Sequence, residues 1–193
     1  TPGIYDLEEP IAVNRPDTIV LGMGLATLRA AKGNVCLETG NVQGLILAGL
    51  LFDAGEIKSD NLLVIGNEGQ KSEDNGKNIY LSDLFFHVGG TDTDTPVSVK
   101  CCATINSNHV VGDNFWVWRA DHGDNVAWEK NEAENGIIIN GDDVTMYALM
   151  VEHFEQYQTV WNGDHGKVYM YQSEIPYDVP NQEVWMSHEG QKN

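Results

Sequence analysis

The sequence predicts an all-β fold, a right-handed parallel β-helix with roughly 22 residues per coil and insertions between coils. Short β-rich runs alternate with Gly, Asn and Asp turns along nearly the whole chain. No long segment has the 3.6-residue period of an amphipathic helix, which argues against helical classes. An Asn-Gly-Asp corner recurs at a fixed interval, and such recurrence is typical of solenoids. A chain of 193 residues is expected to form a single domain, residues 1–193.

The predicted strands follow one another with turn residues between them. They lie within the runs DTIVLGMG, GLILAGLLFDAG, NLLVIGNEG, NIYLSDLFFHVGG, VSVKCCATINSN, HVVGDNFWVWRADHG, GIIINGDD, VTMYALMVEHF, TVWNGDHG and KVYMYQSEIPYD. A β-sandwich also has strands every 8–12 residues and is the alternative fold. The chain does not begin with Met and neither end resembles a solenoid cap, so we expect an internal portion of a longer protein.

The corner motif defines the predicted coil. Asn140-Gly141-Asp142 recurs 22 residues later as Asn162-Gly163-Asp164. Going backward, Asn106-Ser107-Asn108 aligns with Asn140-Gly141-Asp142 at an offset of 34, which is one 22-residue unit plus an insertion of 12. The insertion is expected within Ala120–Gly136. At roughly 22 residues per coil the chain forms roughly eight coils, or fewer with insertions.

The same alignment superposes apolar strand segments of successive coils. Phe115-Trp116-Val117 falls on Leu149-Met150-Val151, while Leu84-Phe85-Phe86 and Leu50-Leu51-Phe52 occupy the same strand in earlier units.

The charge balance limits the classes of partner. The formal net charge is −18, from 11 Lys+Arg and 29 Asp+Glu. This surface repels nucleic acid and anionic membranes and suits neutral ligands. No apolar run reaches the length of a membrane-spanning helix. Charge and hydropathy therefore predict no nucleic-acid partner and no membrane insertion and are compatible with neutral or cationic ligands. A polysaccharide partner is predicted from the acids and tryptophans between residues 116 and 165, and uncapped coil ends predict self-association.

No cofactor is required by the sequence. Ca²⁺ is a weaker candidate, through Asp92 and Asp94 in the loop Gly89–Pro96, but that loop lacks an EF-hand frame. The three cysteines have no CxxC spacing, so a zinc site is not expected. They are predicted to be buried free thiols, although pairing of Cys36 with Cys101 or Cys102 stays open.

Acidic, basic and aromatic side chains are concentrated between residues 116 and 165. Tryptophan rings stack on sugar faces, and a pair of carboxyl groups performs acid/base work on a glycosidic bond. The sequence therefore predicts a carbohydrate cleft here. The predicted catalytic residues are Asp121, Asp142 and Asp143. The predicted substrate-binding residues are Trp116, Trp118, Arg119, His122, Trp128, Glu152, His153 and Trp161.

Two registers compete for the carboxylates. Asp121 precedes Asp142 by 21 residues, close to one coil, which would stack the two residues. The corner alignment instead stacks Asp142 between Asn108 and Asp164 and leaves Asp121 at the start of the insertion. The two registers are compatible only if the insertion folds back over the edge that carries Asp142.

Each candidate also has a structural explanation. Asp142 and Asp143 fit a solvated turn, since Asp tolerates left-handed conformations and caps its own backbone. His122 is compatible with a hydrogen-bonded structural histidine, as is His153. Arg119 fits a structural ion pair.

Trp116 and Trp118 alternate with Val117 along a predicted strand. Either the two tryptophans or the valine therefore face the core.

Longer segments carry a family resemblance. The segments WVWRADHG, NGDDVTMYALMVEHFEQYQTVWNG, YQSEIPYDVPNQ and PGIYDLEEPIAVNRPDTIVLGMGLATL resemble secreted bacterial and fungal proteins with a pectate-lyase-type β-helix. Within that fold the chain is similar to the α-1,3-glucanase and mycodextranase glycoside hydrolases. The resemblance implies one aspartate, Asp121 or Asp124, followed a coil later by the pair Asp142 and Asp143.

The resemblance and the residues together predict a secreted glycoside hydrolase that acts on a neutral glucan, α-1,3-linked by analogy, with inversion. One of Asp142 and Asp143 is expected to be the general acid, and the other, with Asp121, to activate water. The alternative is a non-catalytic carbohydrate-binding or structural extracellular β-helix of a matrix, cell wall or filament.

Overall fold

The computed structural model describes residues 1–70, 76–90 and 94–186, which form a right-handed parallel β-helix. Within those ranges the chain has thirteen strands and one short 3-10 helix, Gln182–Val184. The strands are β1 (Ile4–Leu7), β2 (Ile11–Val13), β3 (Ile19–Ala30), β4 (Leu37–Thr39), β5 (Ile46–Asp53), β6 (Ser59–Ile65), β7 (Ile79–Val88), β8 (Val99–Ile105), β9 (Val110–Arg119), β10 (Ala133–Ile139), β11 (Thr145–Glu152), β12 (Tyr157–Trp161) and β13 (Lys167–Glu174).

Odd-numbered and even-numbered strands form separate parallel sheets. The larger sheet, sheet A, has the order β1-β3-β5-β7-β9-β11-β13, and the smaller sheet, sheet B, has the order β12-β10-β8-β6-β4-β2. Each coil contributes one strand to each sheet, so the chain winds about an axis perpendicular to the strands. This confirms the fold predicted from the sequence and excludes the antiparallel sandwich.

A left-handed residue bends each of the strands β7, β9 and β11 of sheet A near its middle. Asp83, Asn114 and Ala148 have φ values of 53°, 57° and 52°, and the pairing register skips these positions. A single left-handed residue re-aims the strand, so one strand lines two faces of the coil. Asn114 Nδ2 donates to Asp83 Oδ1 at 2.6 Å, which ties adjacent bends together.

The spacing between coils varies as the corner alignment predicts. Thr145 of β11 pairs with Lys167 on the coil after it and with Val111 on the coil before it, and the chain between Val111 and Thr145 is the longer of the two. The insertion expected within Ala120–Gly136 is confirmed as the loop between β9 and β10, since a corner loop can lengthen without disturbing the stacked strands. Seven strands in one sheet and six in the other also make fewer coils than eight.

The predicted strand alignments are confirmed. Phe115-Trp116-Val117 pairs with Leu149-Met150-Val151, and Leu50-Leu51-Phe52 pairs with Leu84-Phe85-Phe86.

The core is a continuous apolar column inside the coils. Phe52 and Phe86 stack with ring centroids 4.9 Å apart, and Phe115 follows 6.2 Å from Phe86. All three rings are fully buried, and each contributes about 2–3 kcal/mol of hydrophobic stabilisation.

The three cysteines are free and buried. Burial raises the pKa of the Cys36 thiol to about 12 and that of Cys101 to about 11.

The predicted asparagine corner is a ladder of side-chain amides. Asn162 Nδ2 donates to Asn140 Oδ1, and Asn140 Nδ2 donates to Asn106 Oδ1, each at 2.8 Å. Asn106 Nδ2 continues the ladder to the Gly66 carbonyl at 3.0 Å. The ladder locks the register of the last coils.

Within the described ranges, no helix is long and apolar enough to cross a membrane. The same residues contain no group of three or more His, Cys, Asp or Glu arranged to hold a metal ion. The Ca²⁺ candidate of the loop Gly89–Pro96 depends on Asp92, which lies outside the described residues.

Candidate functional site

The candidate site lies on the outer face of sheet A, in the strand segments that follow the left-handed bend residues. Parallel register aligns one side chain from each coil there, at a backbone spacing of about 4.8 Å. The resulting column is Asp53, His87, Trp118, Glu152 and Glu174. The neighbouring column contains Leu51, Phe85, Trp116, Met150 and Gln172. A charged and aromatic column therefore runs beside a largely apolar one.

Trp116 and Trp118 form an aromatic platform in these columns. Val117 is fully buried in the core, so both tryptophans lie on the other side of the strand, where Trp116 is half-buried and Trp118 is only 7% exposed. Their rings stack with centroids 5.2 Å apart and an interplanar angle of 22°. The His87 ring packs edge-on against both, at 6.0 and 5.4 Å. Burial lowers the pKa of His87, so a neutral imidazole supports the platform.

Two glutamates adjoin the platform on successive coils. Trp116 Nε1 donates to Glu152 Oε2 at 3.0 Å, which fixes that carboxylate beside the ring. Glu174 pairs with Glu152 across β11 and β13. The Tyr177 hydroxyl donates to Glu174 Oε2, and Gln172 Nε2 donates to its Oε1 at 3.0 Å. Both carboxylates are therefore oriented by named donors at the platform.

Asp121 approaches the same edge from the insertion after β9. Its Oδ1 lies 2.7 Å from His122 Nδ1, and its Oδ2 lies 3.9 Å from His153 Nε2. Desolvation raises the pKa of Asp121, but the His122 hydrogen bond and the adjacent histidines outweigh it, and the pKa falls below its usual value. Asp121 is thus a carboxylate held in its ionised form.

His153 links Asp121 to the segment that follows Glu174. Its ring is 3% exposed, and its Nδ1 lies 3.1 Å from the Ile175 carbonyl oxygen. Tyr177 packs on the imidazole with centroids 4.6 Å apart. The imidazole therefore lies between Asp121 and the segment that begins at Glu174.

Arg119 lies beneath the site, fully buried. Its Nη1 and Nη2 donate to Asp178 Oδ1 and Oδ2 at 3.0 and 2.8 Å, a bidentate pair. Further donation to the Asn131 and His153 carbonyls, at 2.9 and 3.3 Å, satisfies the guanidinium. Arg119 is thus the structural ion pair that the sequence offered as its alternative role.

Glu155 also lies beside the buried guanidinium of Arg119. Its Oε1 lies 3.5 Å from Arg119 Nη2. Desolvation raises the pKa of Glu155 to about 7, because the nearby guanidinium only partly offsets the burial of the carboxylate. Glu155 therefore titrates near neutral pH.

Asp142 and Asp143 lie at the opposite end of β11 from this site. Asp142 Oδ1 accepts from the Asp164 backbone N–H at 2.9 Å, and Asn108 Oδ1 accepts from the Asp142 N–H at 2.9 Å. β11 has 8 residues, so its two ends lie roughly 15–20 Å apart despite the bend. The insertion reaches the Trp118 edge and not the corner, so Asp121 does not converge with Asp142 and Asp143. A catalytic role for this pair stays a prediction that the geometry does not support.

Asp143 occupies a left-handed corner position, and histidines occupy the equivalent position on the coils before and after it. His109, Asp143 and His165 have φ values of 56°, 54° and 57°. His109 Nδ1 lies 3.9 Å from Asp143 Oδ2, and His165 Nδ1 lies 3.4 Å from Asp143 Oδ1.

The other two predicted tryptophans, Trp161 and Trp128, are not part of the platform. Trp161 ends β12 near the Asn162-Gly163 corner and packs against the core and Gly166. Trp128 lies in the insertion, with its ring centroid 5.8 Å from Arg119 Cζ. The structure thus brings Trp116, Trp118, Asp121, His122, Glu152 and His153 together, with Arg119 and Trp128 behind them.

Sequence reasoning missed His87, Glu174, Tyr177 and Asp178 as site residues. Glu174 follows Glu152 at the same interval that separates Asn162 from Asn140, so the repeat alone could have identified it. His87 precedes Trp118 by a longer interval, which the sequence alignment did not use. Tyr177 and Asp178 lie outside any strand and follow no repeat.

These groups combine two requirements of carbohydrate chemistry. Trp116, backed by the buried Trp118 ring, offers an aromatic surface to the apolar face of a sugar ring. The Glu152 carboxylate contacts Trp116, Glu174 lies one coil beyond Glu152, and Asp121 approaches from the insertion.

Comparison with known proteins gives consistent results. Residues 1–174 match the family described as LAM55 pectate lyase-like domain. The chain is 41% identical over 182 residues to an exo-beta-1,3-glucanase of Streptomyces sp. (strain SirexAA-E / ActE), covering 94% of this chain and 30% of that protein. The relative's linkage is β-1,3, where the resemblance in the sequence implied α-1,3.

Solved structures of sacteLam55A from Streptomyces sp. SirexAA-E superpose with a TM-score of 0.90. One, at 40% identity, covers 94% of this chain and 33% of that one. Another, at 39% identity, is a glutamate-to-alanine variant in complex with glucose. The chain spans about a third of the length of these relatives. The pectate-lyase-type part of the resemblance is confirmed, and the chain belongs to the LAM55 pectate lyase-like domain family.

Proposed function

We propose that this protein hydrolyses a neutral β-1,3-linked glucan at the outer face of the last coils of sheet A. The observation that carries the proposal is the pairing of Glu152 with Glu174 beside the stacked Trp116–Trp118 platform. The similarity to an exo-beta-1,3-glucanase supports the β-1,3 linkage and attack at a chain end. The formal charge of −18 favours a neutral polymer over a uronate polymer.

Hydrolysis needs a carboxylic acid that protonates the leaving oxygen and a carboxylate that takes a proton from water as it attacks the anomeric carbon. Glu152 and Glu174 are the candidates for the acid, since Glu152 accepts from Trp116 and Glu174 is stacked on Glu152 from the next coil. Asp121 suits the ionised base, because its neighbouring histidines lower its pKa. In this scheme the C–O bond to the leaving sugar breaks as the C–O bond to water forms.

Inversion at the anomeric carbon is part of the proposal. The imidazole of His153 separates Asp121 from the segment that begins at Glu174, with contacts of 3.9 Å to Asp121 Oδ2 and 3.1 Å to the Ile175 oxygen. Carboxyl groups held apart in this way leave room for a water molecule between base and substrate. Proton NMR of the first product formed would show the α-anomer.

Secretion is also proposed, because the sequence resembles secreted proteins with a pectate-lyase-type β-helix. No cofactor takes part in this scheme.

The test is a panel of polysaccharides. The purified protein is incubated with a β-1,3-glucan, an α-1,3-glucan, a β-1,4-glucan and polygalacturonate, and released reducing ends are measured. We expect release from the β-1,3-glucan alone, with glucose as the main product. Preferred cleavage of the α-1,3-glucan would instead support the linkage implied by the sequence resemblance.

Variants identify the carboxylates. Glu174→Gln and Glu152→Gln are each expected to lower kcat by at least about a hundredfold, since each removes a group proposed to transfer or stabilise charge. Asp143→Asn, at the other end of β11, is the matched control. Binding of β-1,3-glucan with no product from any polymer would instead favour the non-catalytic carbohydrate-binding alternative.

A further inference from the structure

A second cleft opens behind the platform, between the insertion after β9 and the segment after β13. It has a volume of about 550 Å³. Its lining residues are Ala127, Trp128, Glu129, Lys130, Asp178 and Pro180. Clefts of a few hundred Å³ with an aromatic wall and few polar groups are the usual form of small-ligand subsites.

Trp128 is a supported wall of this cleft. The Cζ atom of Arg119 lies 5.8 Å from the centroid of the indole ring, so a buried guanidinium backs the ring. Arg119 Nη2 also donates to the Ala127 carbonyl at 3.2 Å, which fixes the backbone next to Trp128. An aromatic ring held in place in this way binds a flat apolar ligand face at little cost in conformational entropy.

Asp178 supplies the fixed polar group of the cleft, which the charged residues Glu129 and Lys130 also line. Both its carboxylate oxygens accept from Arg119, at 3.0 and 2.8 Å, yet its side chain is still 24% exposed. Each carboxylate oxygen has a second lone pair, so Asp178 can accept a hydrogen bond from a hydroxyl group without leaving Arg119. A tryptophan face beside a fixed acceptor is the combination that recognises a glucosyl unit.

The cleft and the proposed catalytic site are built from the same two chain segments. Asp178 directly follows Tyr177, whose hydroxyl donates to Glu174. Arg119 directly follows Trp118, a member of the platform. The end of β9 and the segment after β13 therefore contribute residues to both the proposed catalytic site and the cleft.

We propose that the cleft formed by Trp128, Asp178 and Pro180 is an additional binding site for a glucosyl unit of the glucan chain. The inference rests on the function proposed above. The occupant is either a distal unit of the chain held at Glu152 and Glu174, or a unit of a second stretch of polymer. Both have the same chemistry, a neutral sugar ring stacked on Trp128.

The experiment compares long and short β-1,3-glucans. Trp128→Ala is expected to raise KM about tenfold for the polymer and leave kcat within about twofold, a change typical of one lost aromatic contact. If the site is a distal subsite, KM in this variant rises for oligosaccharides long enough to span both sites and stays unchanged for a trisaccharide. If it binds a separate stretch, polymer affinity measured by calorimetry in Glu174→Gln falls when Trp128→Ala is added, and oligosaccharide kinetics do not change.

Controls separate binding from folding. Trp128 contacts Arg119, so Trp128→Ala can lose stability. Pro180→Phe obstructs the cleft from an exposed wall and should raise KM to a similar extent with an unchanged melting temperature. Tyr169→Ala removes an exposed aromatic ring elsewhere on sheet A and should leave binding unchanged.

Two results distinguish a failure of the cleft assignment from a failure of the proposed catalysis. If folded Trp128→Ala and Pro180→Phe both bind every glucan as the unmodified protein does, the cleft is not a glucan site. If no glucan is hydrolysed but polymer binding still depends on Trp128, the proposed catalysis is wrong and the cleft assignment is supported.

Discussion

The indole Nε1 of Trp116 donates a 3.0 Å hydrogen bond to Oε2 of Glu152, a residue on the next coil of the β-helix. The bond joins the aromatic platform to one of the two paired carboxylates. It makes the orientation of Glu152 depend on Trp116.

Trp116→Phe tests this dependence, because it keeps an aromatic ring but removes the donor. We expect kcat on β-1,3-glucan to fall about tenfold while KM changes by less than threefold, since one charge-assisted hydrogen bond contributes about 1.5–3 kcal/mol. Trp116→Ala should raise KM as well. Steady-state kinetics of the two variants make the comparison, and equal kcat in Trp116→Phe and the unmodified protein would contradict the orienting role.

Asp142→Ala tests the corner assignment. The change leaves the Asp164 N–H without its acceptor, so the free energy of unfolding should fall by about 1 kcal/mol. Because the corner lies at the far end of β11 from the platform, kcat should stay within twofold. Urea unfolding and reducing-end assays give both quantities. A hundredfold loss of kcat in Asp142→Ala or Asp143→Asn would restore the catalytic role predicted from the sequence.

Arg119→Met tests the buried ion pair. It leaves the carboxylates of Asp178 and Glu155 without their buried cation, and removal of one partner from such a pair costs about 3–5 kcal/mol. The double variant Arg119→Met, Asp178→Leu should recover part of that loss. Thermal and urea unfolding provide the comparison, and full stability in Arg119→Met alone would show that the network is dispensable.

Glu155→Gln tests the raised pKa. A carboxyl group with a pKa of about 7 in the folded protein and 4.5 when unfolded binds more protons in the folded state between those values. Its contribution to stability is therefore present below about pH 4.5 and is lost as pH rises to about 7. The expected loss is on the order of 1–2 kcal/mol once solvent screening is allowed for.

His87, whose pKa is lowered by burial, contributes in the opposite sense: its stabilisation is present above its unfolded pKa and is lost as pH falls through the lowered folded value. Unfolding at several pH values should therefore be compared between Glu155→Gln and the unmodified protein, since His87 is common to both. Identical pH profiles would mean that Glu155 is not desolvated as the structure shows.

The sequence by itself determined the β-helix, its asparagine corner and the location of the tryptophan platform. These features follow from local periodicity: alternating apolar residues specify strands, and Asn140 and Asn162 mark equivalent corners. Strands without a repeat signal, such as β1, β2 and β4, and the lengths of the coils before β9 did not follow from it. Corner loops can lengthen without disturbing the stacked register.

Only the tertiary structure decided which carboxylates share a surface. Asp121 and Asp142 are separated by nearly one coil in sequence, yet they lie at opposite ends of a strand, because the insertion changes the register between them. Glu152 and Glu174 share a face because β11 and β13 are stacked in register. Arg119, Glu155 and Asp178 meet only because the segment after β13 folds back over the end of β9. A site built across stacked coils depends on register and insertion length, and neither is a local property of the chain.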